Sequence, residues 1–274
     1  MIPLSGTPLS ATPLGEKELG EKELQGTRRS SRLASEFTWQ RLATPILVVV
    51  VLAVVALWLS SLQLDSIEKR TLNLGYMTNR IREHLGLTIV ASALVAALAI
   101  PTGVLVSRTK SRFVRGLVLG IANIGQATPA VGVIILLAIV WQTGYATALV
   151  GLVAYSFLPV LRNTLVGLQQ VDVNVRESAR GMGMTPVQVL MRVELPLAVP
   201  VILAGLRTSL VFCVGVATIA TFINAGGLGD MIVNGLKLQR YPVLVTGAVL
   251  VACIALLIDW VASIAEDVLK PRGT

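Results

Sequence analysis

Arg207 is the one charged residue in an otherwise uncharged stretch that runs from Leu195 to Gly229. Eleven positions after Pro196, it falls about 16 Å along a helix rising 1.5 Å per residue, near the middle of a bilayer. A guanidinium at that depth is costly and normally faces a cavity or an ionic partner. Asp259 is the nearest acid by depth, and an acid from another subunit is the alternative. Two roles stay open for Arg207: a tie between helices, or part of a pathway or gate. A second polar group, Asn123 and Gln126 followed by Pro129, interrupts another apolar stretch. Proline removes an intrahelical hydrogen bond and frees a carbonyl that needs a protein or water partner. That segment reads either as a pathway-lining or gating kink, or as an ordinary packed kink in which small and polar residues serve helix contact.

Other chemistries find no support. The single histidine, His84, stands beside an apolar stretch and is expected to be interfacial, neither a ligand nor a proton relay. Cys213 and Cys253 both fall inside apolar stretches, with no disulfide framework or metal-ligand spacing around them. Gly226, Gly227 and Gly229 superficially suggest a phosphate-binding loop, but no Gly-Lys-Ser/Thr follows, so they are expected to form a turn. No ATP-binding signature occurs in the chain, and no nucleophile–base pair lies in its apolar stretches. Catalytic residues and a bound metal are therefore not expected.

The elements that carry these residues follow from composition. The 274 residues are 54% hydrophobic and only 14% charged, with a mean hydropathy of +0.76, too apolar to hide in one soluble core. About 20 apolar residues cross a ~30 Å hydrocarbon slab. Between charges the sequence offers 43–64, 85–107, 116–161, 195–229 and 241–258. The 116–161 stretch is long enough for two spans divided at Gln142-Thr143-Gly144, which makes six. These stretches are longer than barrel strands and lack polar alternation, so they predict helices. The expected class is an all-α integral membrane protein with about six transmembrane helices. Its parts are a disordered tail over 1–42, a first transmembrane helix over 43–64, and a core over 85–265 with five further helices.

Charge fixes an orientation. With the N-terminus cytoplasmic, inner segments carry 16 basic residues, in groups at 17–41, 108–115, 162–192 and 270–272, whereas Lys69, Arg70, Arg80, Arg82, Lys237 and Arg240 are the 6 outside. The positive-inside rule then predicts that both termini are cytoplasmic. The net charge of +8 is spread over these flanks with no aromatic-basic module, so nucleic acid is not an expected partner. The polar tail repeats Gly-Glu-Lys-Glu-Leu at 15–19 and 20–24 and has the composition of a disordered segment. A signal peptide is not expected, because the first apolar stretch is longer than an h-region and starts only after about 43 residues.

The longest inner connection, Arg162 to Leu195, contains two legible short helices over 170–195. Asp172 can cap the first, which ends at Gly181-Met182-Gly183. Thr185-Pro186-Val187-Gln188 has capping-box spacing with proline at the first helical position, and Leu195-Pro196 is expected to restart the chain as a membrane helix. The same residues carry a resemblance. Glu177-Ser178-Ala179, Gly183, Val193, Leu195 and Pro196 reproduce the spacing of the signature of permease subunits of bacterial binding-protein-dependent ABC importers. Ser178 replaces the usual alanine, a small-for-small change.

The resemblance covers about 85–262 and implies a type I ABC importer permease fold. In it this loop is the coupling helix, seated in a groove of an ATP-binding subunit, with Glu177 touching that subunit and Gly183 allowing the turn. It also implies ATP and magnesium bound by the partner ATPase and not by this chain, a second permease copy or paralogue, an extracytoplasmic substrate-binding protein, and a place in the bacterial cytoplasmic membrane. The strings at 158–164, 193–209 and 225–230 look most like the osmoprotectant branch, whose members import glycine betaine, choline, carnitine or proline. The glycine-rich string is shared with methionine permeases, so an importer of methionine or another small solute is the alternative. A secondary transporter or channel is less well supported, because intramembrane acids for ion coupling are nearly absent.

Overall fold

The computed structural model describes residues 42–269. The N-terminal tail with its repeat, and the basic residues at 17–41 and 270–272, lie outside the described residues. The described residues form helices and no strands, and five of the helices are long and apolar enough to cross a membrane, or six if one bent pair is a single span. Helix α1, Leu42–Ser61, is exposed along most of its length.

A short helix, α2 (Ser66–Thr71), precedes α3 (Leu74–Arg108). The sequence places the second span at about 85–106, whereas α3 starts eleven residues earlier, behind an Asn73 cap whose Oδ1 accepts from the Tyr76 amide at 2.8 Å. Arg80, Arg82 and Glu83 occupy its first turns. Charge limits the hydrocarbon-crossing stretch without ending the helix.

The stretch expected to form the third span is divided in two. Helices α4 (Arg112–Ala127) and α5 (Ala130–Val140) meet at 98° across Thr128-Pro129. Pro129 is therefore not a kink inside one helix; it stands at the start of α5, where its missing N–H costs no helical hydrogen bond. The turn at Gln142-Thr143-Gly144 forms as expected, with Gly144 at φ +110° and its amide donating to the Ile223 carbonyl at 2.7 Å.

Helix α6 (Tyr145–Gln170) is the centre of the fold and packs against α3, α4, α5 and α9 (Leu195–Ala217). Small residues set these approaches. A β-carbon on Gly103 would stand 2.7 Å from the Thr164 side chain, and one on Gly205 would stand 2.5 Å from that of Asn163. Because α6 runs on to Gln170, Arg162 lies within a helix and the connection from α6 to α9 is shorter than the charge pattern suggests.

That connection consists of α7 (Val173–Gly181), α8 (Pro186–Val189) and a π-turn over Leu190–Glu194. Helix α8, the π-turn and α9 run together as one 32-residue helix, Pro186–Ala217, so Leu195-Pro196 does not restart the chain. The Leu195 amide reaches back five residues to the Leu190 carbonyl, and this wider turn relieves the clash and the lost bond that Pro196 imposes on a regular helix.

The uncharged stretch to Gly229 is not all span. Helix α9 ends at Ala217 and is followed by a 3-10 turn (Ile219–Ile223), a glycine turn, α10 (Gly229–Lys237) and the final long helix α11 (Tyr241–Leu269).

Candidate functional site

Local sequence chemistry builds the loop between α6 and α9 as its spacing predicts. The Asp172 carboxylate caps α7 by accepting from the Asn174 amide at 2.8 Å. Thr185 and Gln188 form a reciprocal capping box around Pro186. Between the two helices Gly183 takes φ +84°. The Met184 amide donates to the Ala179 carbonyl and the Gly183 amide to that of Arg180, the paired bonds of a Schellman cap. A β-carbon at Gly183 would meet nothing within 4 Å. The glycine is thus required by backbone conformation and not by crowding within this chain.

Among the motif residues, Ala179 is buried, whereas Glu177 and Ser178 are exposed and Gly183 sits at the open turn. Val193 and Leu195 are half-buried, and Pro196 is exposed. The loop also exposes several apolar side chains, Met182 at 71% and Val187 at 68% together with Val173, Val175 and Met191. Exposed apolar side chains on a loop that also exposes an acid on a short, firmly capped helix are suited to docking against protein.

Sequence reasoning missed the residue that fastens this loop. Glu194, in the π-turn, is 1% exposed and pairs through both carboxylate oxygens with the Arg108 guanidinium at the C-terminal end of α3. In one dimension Arg108 reads only as a positive-inside charge and Glu194 as one more polar residue in a loop. The signal was an acid one residue before Leu195-Pro196, at the junction between loop and span.

The four candidate pathway residues are not brought together. Arg207 forms a bidentate pair with Asp259 of α11, at 2.5 Å from Nε and 2.6 Å from Nη2, and Glu266 lies 3.9 Å from Nη1. Asp259, the acid expected by depth, is thus its partner within this chain, and the pair ties α9 to α11. Asn123 lies elsewhere, on α4. Its amide nitrogen donates to the Leu119 carbonyl at 2.7 Å, and its oxygen accepts from Arg162 Nη2 at 2.5 Å. Gln126 is half-buried one turn further along α4, and Pro129 is exposed at the bend.

At the opposite end of the long helices the glycine run is a turn, with φ +79° at Gly226 and +94° at Gly227. Glu83 of α3 accepts from the Gly227 amide at 3.0 Å, and Arg80 binds Asp230 at 2.6 Å while its guanidinium lies over the Tyr76 ring. His84 lies beneath this turn and is fully buried, its Nε2 3.1 Å from the Val214 carbonyl. The expectation of an interfacial histidine is therefore corrected: residues some 140 positions downstream fold over it, which hydropathy around His84 cannot register.

Residues 99–273 match the family described as the binding-protein-dependent transport system inner membrane component. The chain is 41% identical over 201 residues to the choline transport system permease protein OpuBB of Bacillus subtilis, covering 73% of this chain and 92% of that protein. It is 34% identical over 215 residues to the osmoprotectant import permease protein OsmW of Salmonella typhimurium, covering 77% and 99%. Among solved structures it matches an inward-facing form of the MetNI methionine ABC transporter, with a TM-score of 0.66 and 22% identity over 72% of this chain and 98% of that one. A second match is an amino acid ABC transporter with histidines, with a TM-score of 0.61 and 19% identity over 75% and 99%. These structural likenesses establish the fold.

Proposed function

The chain belongs to the family of binding-protein-dependent transport system inner membrane components, and from that membership we propose that it is the permease subunit of an ATP-driven osmoprotectant importer. The observation that carries this reading is the capped surface helix α7, which presents Glu177 beside exposed apolar residues of the loop and is joined by the tight Gly183 turn to the continuous helix of α8 and α9. A soluble partner gripping α7 would turn its own motion into motion of a span. That partner is an ATP-binding subunit, which holds ATP and magnesium, while this chain supplies the path. An extracytoplasmic binding protein delivers the solute, and a second permease copy or paralogue completes the enclosure. ATP-driven closure of the two nucleotide-binding subunits shifts the coupling helices and alternates access.

The cargo assignment rests on relatives 34–41% identical and named for choline or osmoprotectant import, set against solved methionine and amino acid transporters at 19–22%. We expect the complete complex, reconstituted with its binding protein, to take up glycine betaine, choline, carnitine or proline with ATP. Methionine uptake without any of these would overturn the cargo while leaving the importer standing.

The same reading places both termini and α7 in the cytoplasm. Native Cys213 and Cys253 are buried, so introduced cysteines report cleanly. Cysteine at the exposed Lys237 is expected to react with an impermeant thiol reagent added to intact cells, and cysteine at the exposed Arg180 only after permeabilisation. The reverse pattern would invert the orientation.

A further inference from the structure

Arg162 is the charged residue that the positive-inside count absorbs without explanation. It lies on α6, eight residues before the inner end, and its guanidinium does not turn toward that end. It reaches Asn123 of α4, whose neighbour Gly125 is level with Ala154, because a β-carbon there would stand 3.3 Å from the Ala154 carbonyl oxygen. The guanidinium is thus carried about one helical turn deeper into the membrane than its own Cα. Arg162 is exposed, and at this depth an exposed guanidinium has to face water or protein and not hydrocarbon.

Seven residues before Arg162, on the same face of α6, the Tyr155 ring meets Phe212 of α9 edge-to-face, with centroids 6.3 Å apart. Phe212 is 38% exposed and Tyr155 is half-buried. One face of α6 therefore carries the Tyr155 ring against Phe212 of α9 and, about one turn further inward, a guanidinium held by the Asn123 amide of α4. Aromatic faces attract a quaternary ammonium through their quadrupole, and a guanidinium is the preferred partner of a carboxylate.

We propose that Tyr155, Phe212 and Arg162 form a transient site in the translocation path for small zwitterions, with the rings taking the trimethylammonium group and Arg162 the carboxylate. The proposal rests on the osmoprotectant reading above and adds residues that discriminate among its cargoes. Choline carries the ammonium without the carboxylate, so the ratio of glycine betaine to choline uptake isolates Arg162.

The test uses the complete complex with its binding protein, in vesicles of phosphatidylethanolamine and phosphatidylglycerol, so that no lipid headgroup supplies a quaternary ammonium. If the unaltered complex carries neither solute, the cargo reading fails before any variant is made. If it carries both, Arg162→Gln is expected to lower the betaine-to-choline ratio by about tenfold, the equivalent of one charge-assisted hydrogen bond. Asn123→Asp, which masks the guanidinium with a carboxylate and leaves Arg162 in place, is expected to lower the ratio in the same direction and decides the matter alone if Arg162→Gln does not assemble. Phe212→Leu is expected to depress both solutes together, leaving their ratio within about twofold. Repeating the Asn123→Asp measurement in vesicles that also contain phosphatidylcholine separates the sources, since a site occupied by lipid headgroup would shift with the lipid. An unchanged ratio in both charge variants, or a shift seen only with phosphatidylcholine, overturns the proposal and leaves the importer intact.

Discussion

Replacing Gly183 with leucine is expected to lower ATP-driven uptake by at least about tenfold, because residues with a β-carbon resist the left-handed backbone by roughly 1–2 kcal/mol. At φ +84° the glycine closes a Schellman cap on a helix of only nine residues, so that penalty falls on an element with few other interactions to hold it. Space around the missing β-carbon is open within this chain, and this separates two explanations. If backbone conformation governs, Gly183→Asn should keep most of the transport, since asparagine tolerates this region, Gly183→Ala should lose several-fold, and Gly183→Leu should lose most. If the ATPase groove instead excludes any side chain, asparagine should fail as badly as leucine. Glu177→Ala serves as the companion variant: the side chain is exposed, so thermal stability should hold while ATPase co-purification and substrate-stimulated hydrolysis fall. Normal values for both in a Glu177→Ala, Gly183→Leu double variant would mean that this loop is not where the ATPase couples.

Much of this loop could be read in one dimension because its determinants are local. Asp172, Thr185, Pro186, Gln188 and Gly183 act on backbone groups within a few residues, so their spacing predicts their bonds. The spans were legible for a related reason, since hydrocarbon imposes its length on any apolar stretch. What escaped was tertiary. The burial of His84 depends on a glycine turn at 226–227, and the N-terminal extension of α3 depends on charged first turns that find Asp230 and the Gly227 amide. The π-turn answers to Pro196, yet nothing in the sequence distinguishes an accommodated proline from a helix start. Arg207 and Asp259 were matched because depth alone pairs them; Arg162 was not, because a basic residue near an inner end satisfies the charge rule and invites no further question.

The pair Arg108–Glu194 is expected to respond asymmetrically to loss of either partner. Its side chains are 41% and 2% exposed, respectively. Arg108→Met strands a carboxylate that water cannot reach, and breaking a buried pair in this way costs about 3–5 kcal/mol. Glu194→Gln leaves an amide that still accepts a hydrogen bond and an arginine that can turn to water, so its cost should be nearer 1–2 kcal/mol. Replacing both by methionine should recover much of what Arg108→Met loses, since the uncompensated charge disappears with its partner. Thermal unfolding of the purified complex orders the three variants, and equal losses for the two single replacements would show that Glu194 is hydrated in solution. A functional consequence follows from position. Glu194 lies in the π-turn between α8 and α9, and Arg108 ends α3, so under the coupling role proposed for α7 the pair would make those two spans follow it together. With Glu194→Gln, which retains the fold, ATP hydrolysis should persist while solute moved per ATP falls several-fold, because motion delivered to α9 no longer carries α3 with it. An unchanged ratio of transport to hydrolysis would reduce the pair to a stabilising contact.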